Sequence, residues 1–208
     1  MDVLSAIAAE RRRTADLIES LTPAQLDSPS LCGQWTVRQV AGHLLAAVDT
    51  PTGQALRAFA VSGFRVHRAN VRLAAAAARR PAAELAAGLR DNADNAFRPP
   101  IVGYPGQLTD LQIHGQDMRR PLGLPHGLRL DRLRVSLDFL TGGRAVGFTT
   151  RRRLDGLRFE ATDLDWRWGD GADVAGPAEA LMMAMAGRPV ALGELDGPGV
   201  RVLAARLR

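Results

Sequence analysis

The residues whose types and spacing carry the most chemistry lie between Thr109 and Leu124, in the run TDLQIHGQDMRRPLGL. Written as a helix, this run places Asp110, His114 and Asp117 at i, i+4 and i+7, along one stripe of one face. Leu108, Leu111, Gly115 and Met118 fall on a neighbouring face that can pack, which sets the polar stripe beside the core. Pro121 stops the helix. A carboxylate four residues before a histidine brings an oxygen and an imidazole nitrogen about one turn apart, close enough for both to reach one divalent ion. The same spacing suits a plain helix-stabilising pair. It is therefore half a site, and a metal needs a further ligand from elsewhere in the chain.

That ligand has to come from another helix. Residues 2–20 repeat apolar positions near the 3.6 period (Leu4, Ile7, Ala8, Leu17, Ile18, Leu21), with Arg11 interrupting the stripe and able to snorkel outward. Thr22-Pro23 opens at most a short turn before a loop from Asp27 to Gly33. Thr36-Val-Arg-Gln39 is a capping box, and it predicts a helix over Val37–Asp49 whose core face is Val37, Val40, Ala41, Leu44 and Val48. His43 sits at the margin of that face. Alone, a histidine so placed is more often a hydrogen-bonded boundary residue than a ligand; beside Asp110 and His114 it is the third donor that a bundle can gather in its core. Trp35, just before the cap, reads as a packing residue at the bundle end.

The remaining elements follow from caps and breakers. Thr50-Pro51 opens a long alanine-rich helix to about Arg79, Pro81 opens another to about Phe97, and the prolines and glycines of Arg98–Gly106 predict an ordered loop. After Gly123 the texture changes. Asp131–Leu140 reads as a helix ended by Gly142-Gly143, and Gly147–Trp168 has the alternation of strands, with Leu157, Phe159 and Ala161 on one side. Trp166-Arg-Trp168 before Gly-Asp-Gly reads as a strand and its turn, Pro177–Ala186 as a short helix stopped by Gly187, and Gly199–Arg208 as a last strand or helix. The fold class is thus mainly α: a helical domain over 1–127 and a small α+β domain over 128–208.

Composition narrows the function classes. The 208 residues carry a net charge of +5, and all 27 basic residues are arginine. An arginine-only, alanine-rich chain reflects base composition more than a nucleic-acid surface. The triplets Arg11–Arg13 and Arg151–Arg153 lack aromatic interleaving, so no nucleic-acid partner is predicted. No apolar run is long enough to span a bilayer, the first residues lack a secretion signal, and the single cysteine, Cys32, fits a reducing cytoplasm. Cys32 has no histidine near it in sequence and is not predicted to do thiol chemistry, while His67 and His126 read as solvated.

Two stretches carry a family resemblance. LCGQWTVRQVAGHLL, from Leu31 to Leu45, and DLQIHGQDMRRPLG, from Asp110 to Gly123, resemble the mycothiol-dependent maleylpyruvate isomerase family, which belongs to the larger DinB-like four-helix bundles. The segments GLRFEATD (Gly156–Asp163), Trp166–Gly171, GPAEAL (Gly176–Leu181) and AGRP (Ala186–Pro189) look like that family's carboxy-terminal part. The resemblance implies a divalent metal, commonly zinc, held by His43, Asp110 and His114. Mycothiol would be the thiol cosubstrate and a small electrophile the substrate, for cis-trans isomerisation or S-transfer. The family's acidic ligand is usually glutamate; Asp110 is one methylene shorter. Either the helix sits closer, or a water intervenes, or Asp117 takes the role. Asp117 is the candidate catalytic group, by orienting His114 or accepting a proton, and Arg119 and Arg120 are candidates for anionic substrate groups. The resemblance leaves open a monomer or homodimer. The competing reading is a non-catalytic metal- or ligand-binding bundle.

Overall fold

The computed structural model describes residues 1–207. Among them are eleven α-helices, one 3-10 helix and a three-stranded sheet near the carboxy terminus, so the chain is mainly helical with a small mixed segment after it. Two compact units form: Asp2–Phe97 with Asp110–His126, and Met1 with Arg98–Thr109 and Gly127–Arg208. The segment Arg98–Thr109 precedes the sequence-based boundary yet clusters with the later residues. No helix among the described residues is long and apolar enough to cross a membrane.

In the first unit, α1 (Val3–Ser20) starts on Asp2, whose carboxylate accepts from the Leu4 and Ser5 amides, and packs on α6 (Ala82–Asp91). The short α2 (Pro23–Leu26) opens with a capping box from Thr22 and Gln25. Helix α3 (Val37–Asp49) lies against α5 and α6. Its approach to α5 is backbone on backbone: a Cβ on Gly42 would stand 2.6 Å from the Ala74 carbonyl oxygen. Glycine at that position is therefore a packing requirement, one residue from His43.

The expected single helix from Pro51 to Arg79 is two, α4 (Thr52–Val61) and α5 (Val66–Ala77). Gly63 (φ +65°) and Phe64 (φ +58°) turn left-handed between them, and the Phe64 ring folds back edge-on to Phe59, 5.4 Å away. The alanine-rich composition supports helix on both sides but cannot carry it across that turn. Likewise α6 stops at Asp91, not near Phe97, and Arg11 holds the chain that leaves it. The side chain is buried at 1% exposure, and Nη1 donates to the carbonyls of Asn92, Ala93 and Asn95 at 2.8, 2.9 and 2.9 Å. It does not snorkel. Three carbonyls beyond a helix C-terminus form a ready cation site, and occupying it ties α1 to the chain leaving α6.

Helix α7 (Gly103–Arg119) begins inside the stretch read as loop. Pro105 is tolerated because amide groups of the first turn have no intrahelical acceptor. Its burial is broader than one stripe: Leu108, Leu111, Ile113 and Met118 are enclosed, and so are Gln107, Thr109, Gln112 and Gln116. It ends two residues before Pro121.

In the second unit, α8 (Leu130–Thr141) ends at Gly142, and the short α9 (Arg151–Leu154) occupies part of the region read as strand. Strands β1 (Leu157–Ala161), β2 (Arg167–Trp168) and β3 (Ala172–Gly176) form a sheet in the order β2-β1-β3, antiparallel on one side and parallel on the other. Leu157, Phe159 and Ala161 are the buried face of β1, as their alternation predicts. Helix α10 (Ala178–Met185) is buried along its whole length, with its first amide capped by the Asp163 carboxylate at 2.8 Å. It packs on α8, on β1 and β3, and on the 3-10 helix Pro189–Glu194. The tail is α11 (Gly199–Arg206).

Candidate metal centre

The phase of α3 decides where His43 points. Thr36 Oγ1 accepts from the Gln39 amide at 3.3 Å and Gln39 Oε1 accepts from the Thr36 amide at 2.9 Å. That start fixes Val37, Val40, Ala41, Leu44 and Leu45 inward, and leaves His43 at the inner edge with 15% of its side chain exposed. Helix α7 supplies Asp110, His114 and Asp117.

These side chains meet. His43 Nε2 lies 3.4 Å from Asp110 Oδ2, and His114 Nε2 lies 3.4 Å from Asp110 Oδ1. The two imidazoles stand edge to face with centroids 5.0 Å apart, and one donor atom from each of the three residues falls within 4.8 Å of the others. Trp35 packs its ring against His43, with centroids 5.4 Å apart, so it packs on the site itself. Asp117 is fully buried behind His114, with Oδ2 at 2.9 Å from Nδ1.

Electrostatics follow from burial and neighbours. Burial works against a charged His114, but the Asp110 charge, the hydrogen bond it donates to Asp117 and a contact with Cys32 outweigh it and push its pKa up to about 10. Without a metal, the group holds a proton where two carboxylates converge.

Cys32 is the residue that sequence reasoning missed. Its sulfur, a His114 ring nitrogen and an Asp117 oxygen form a second group of donors within 4.8 Å of one another. The loop is pinned to α7 by the Leu31 amide, which donates to the Asp117 carbonyl at 3.0 Å. No local pattern announces such a long-range bond. The spare histidines stand elsewhere. His67 is exposed on α5, and His126 sits in the turn after α7, where its carbonyl accepts from Arg13. Arg119 directs its guanidinium to the carbonyls of Pro125 and Arg13 at 3.2 and 3.5 Å. Arg12 pairs with Asp94, so the first arginine triplet bonds within its own unit.

Residues 7–98 match the sequence profile of the family described as mycothiol maleylpyruvate isomerase N-terminal domain. A search of curated proteins gives no significant match. Among solved structures, the chain is similar to the crystal structure of a histidine-to-alanine mutant of the mycothiol-dependent maleylpyruvate isomerase. The identity is 15%, the TM-score is 0.63, and the alignment covers 94% of this chain and 91% of that one. At that identity the likeness is one of fold. Residues 7–98 thus resemble mycothiol maleylpyruvate isomerase N-terminal domains, within a chain whose fold is similar to that of the isomerase.

Proposed function

We propose that this protein is a metal-dependent enzyme that activates a low-molecular-weight thiol, mycothiol, for cis-trans isomerisation of, or S-transfer to, a small electrophile. The observation that carries the reading is the placement of Asp110 between two imidazoles, each Nε2 3.4 Å from one of its oxygens. The oxygens are different ones, Oδ2 for His43 and Oδ1 for His114, so the carboxylate spans the two imidazoles, within reach of an ion that both Nε2 atoms would hold at about 2.0–2.1 Å. Three protein ligands leave a position open, the pattern of a catalytic site. The shorter Asp110 still reaches both histidines, which favours direct ligation over Asp117 taking the role.

A bound divalent ion such as zinc would hold a thiol at the open position as its thiolate at neutral pH. The chain's own residues do the rest. Asp117 accepts the Nδ1 hydrogen of His114 and so presents the Nε2 lone pair towards Asp110 and His43. Asp117 is a positioning residue in this reading, being enclosed behind the imidazole. Trp35 fixes the His43 ring by packing on it and shields that side from water.

The test joins metal content to activity. Protein purified without chelator should carry close to one equivalent of a transition metal. His43→Ala should lose both the metal and thiol-dependent turnover of a maleyl-type electrophile, and retain its helical circular dichroism. Metal below about half an equivalent, or metal retained in His43→Ala, overturns the site. Full occupancy with no thiol-dependent turnover of any electrophile makes the bundle a binding protein.

A further inference from the structure

His114 presents its two ring nitrogens to two different sets of donors. Nε2 faces Asp110, 3.4 Å away, beside His43, and Nδ1 faces Asp117 at 2.9 Å. On the Asp117 side the Cys32 thiol completes a group of three donor atoms, all within 4.8 Å of one another. Asp117 is fully buried, His114 is 8% exposed, and Cys32 is half-buried, which gives an ion a way in past the sulfur. The sulfur is held in place by its backbone. The Cys32 amide donates to Ser30 Oγ at 3.1 Å, its carbonyl accepts from the Trp35 amide at 3.1 Å, and the neighbouring Leu31 amide is bound to Asp117.

The chemistry of this second group differs from the first. Two imidazoles and a carboxylate suit a borderline ion, whereas a thiolate with an imidazole and a carboxylate prefers a softer one, such as cadmium or copper(I). We propose that Cys32, His114 and Asp117 form a second metal site, for thiophilic ions, whose filling excludes an ion from His43, Asp110 and His114. The shared residue accounts for the exclusion. The Cys32 thiol proton passes to solvent when an ion binds this side, and a neutral imidazole has a single lone pair, so His114 serves one group at a time and the other is left with two donors where a metal needs three. Only the exclusion rests on the function proposed above; the second site stands on its own donors.

The experiment is a cadmium titration of the full chain, read by the ultraviolet sulfur-to-cadmium charge-transfer absorption. Cys32 is the single cysteine, so any such band belongs to it. The band should saturate in the wild type, disappear in Cys32→Ser and persist in His43→Ala, with Asp110→Asn as a second variant that spares the new site. In zinc-loaded wild type the band should grow only as zinc appears in the filtrate by elemental analysis. Cadmium binding without the band, or a band lost in both His43→Ala and Asp110→Asn while circular dichroism shows them folded, overturns the site. A band that saturates with zinc still bound overturns the exclusion. A wild type that holds no zinc overturns the function proposed above, while the band in His43→Ala still reports on Cys32.

Discussion

Replacing Asp117 by asparagine tests how much of the zinc centre depends on a residue outside the His43, Asp110 and His114 ligand set. The substitution keeps the size of the side chain and removes its charge. In the wild type, Oδ2 lies 2.9 Å from His114 Nδ1 and the carboxylate has no exposure to solvent, so the bond is charge-assisted and unscreened by water. Losing the charge on such a bond costs about 1.5–3 kcal/mol. If that loss falls on the metal-bound state, zinc affinity drops on the order of 10- to 100-fold, at tenfold per ~1.4 kcal/mol. The asparagine amide group also needs a partner in an enclosed place, so urea denaturation should report a loss of about 1–3 kcal/mol beside the affinity change. The assay is competition for zinc against a chromophoric chelator at fixed pH, for the wild type and Asp117→Asn side by side. A folded variant whose zinc affinity stays within about twofold of wild type would refute the positioning role, since a buried charged partner cannot be lost that cheaply.

The elevated pKa of His114 gives a pH signature in the metal-free protein. The folded value, about 10, lies above the ordinary 6.5, so the protonated group contributes stability that is fully present below pH 6.5 and is lost as pH rises through about 10. Urea melts of chelated protein should weaken across that window, and zinc affinity should rise over the same range as the competing proton leaves; flat profiles would contradict the geometry. Arg11→Met strips three partly buried carbonyls of their donor and should cost about 3–5 kcal/mol, lowering the thermal midpoint by roughly 6–20 °C for a chain of this size. Gly42→Ala places a methyl 2.6 Å from the Ala74 carbonyl oxygen and 2.8 Å from the Ala78 amide nitrogen, so α3 must move off α5. It should lose about 1–3 kcal/mol by urea denaturation and weaken metal binding through the displaced His43.

The sequence by itself determined what depends on neighbours within a few residues. The Thr36–Gln39 capping box set the start and phase of α3, and with them the inward margin on which His43 lies. The i, i+4, i+7 spacing put Asp110, His114 and Asp117 on one stripe, and strand alternation picked out Leu157, Phe159 and Ala161 as the buried side of β1. Caps and periods act over one or two turns, so they are legible wherever the chain obeys them. They were misleading where a single left-handed turn at Gly63 and Phe64 broke an otherwise helical composition. They also hid the start of α7, where Pro105 in the first turn resembled a loop.

Only the tertiary structure decided what meets across elements. Arg11 looked like a flaw in an apolar stripe; it is the donor to the chain leaving α6, because three carbonyls converge there from residues far along the sequence. Cys32 had no histidine beside it in sequence and has one in space, because a backbone bond from Leu31 draws its loop onto α7. The meeting of His43 with Asp110 and His114 is of the same kind. Periodicity orients a side chain about its own helix axis, but the distance between two axes is set by what packs between them. For α3, the helix that carries His43, the packing against α5 includes a glycine, Gly42, whose missing methyl lets the two backbones come close.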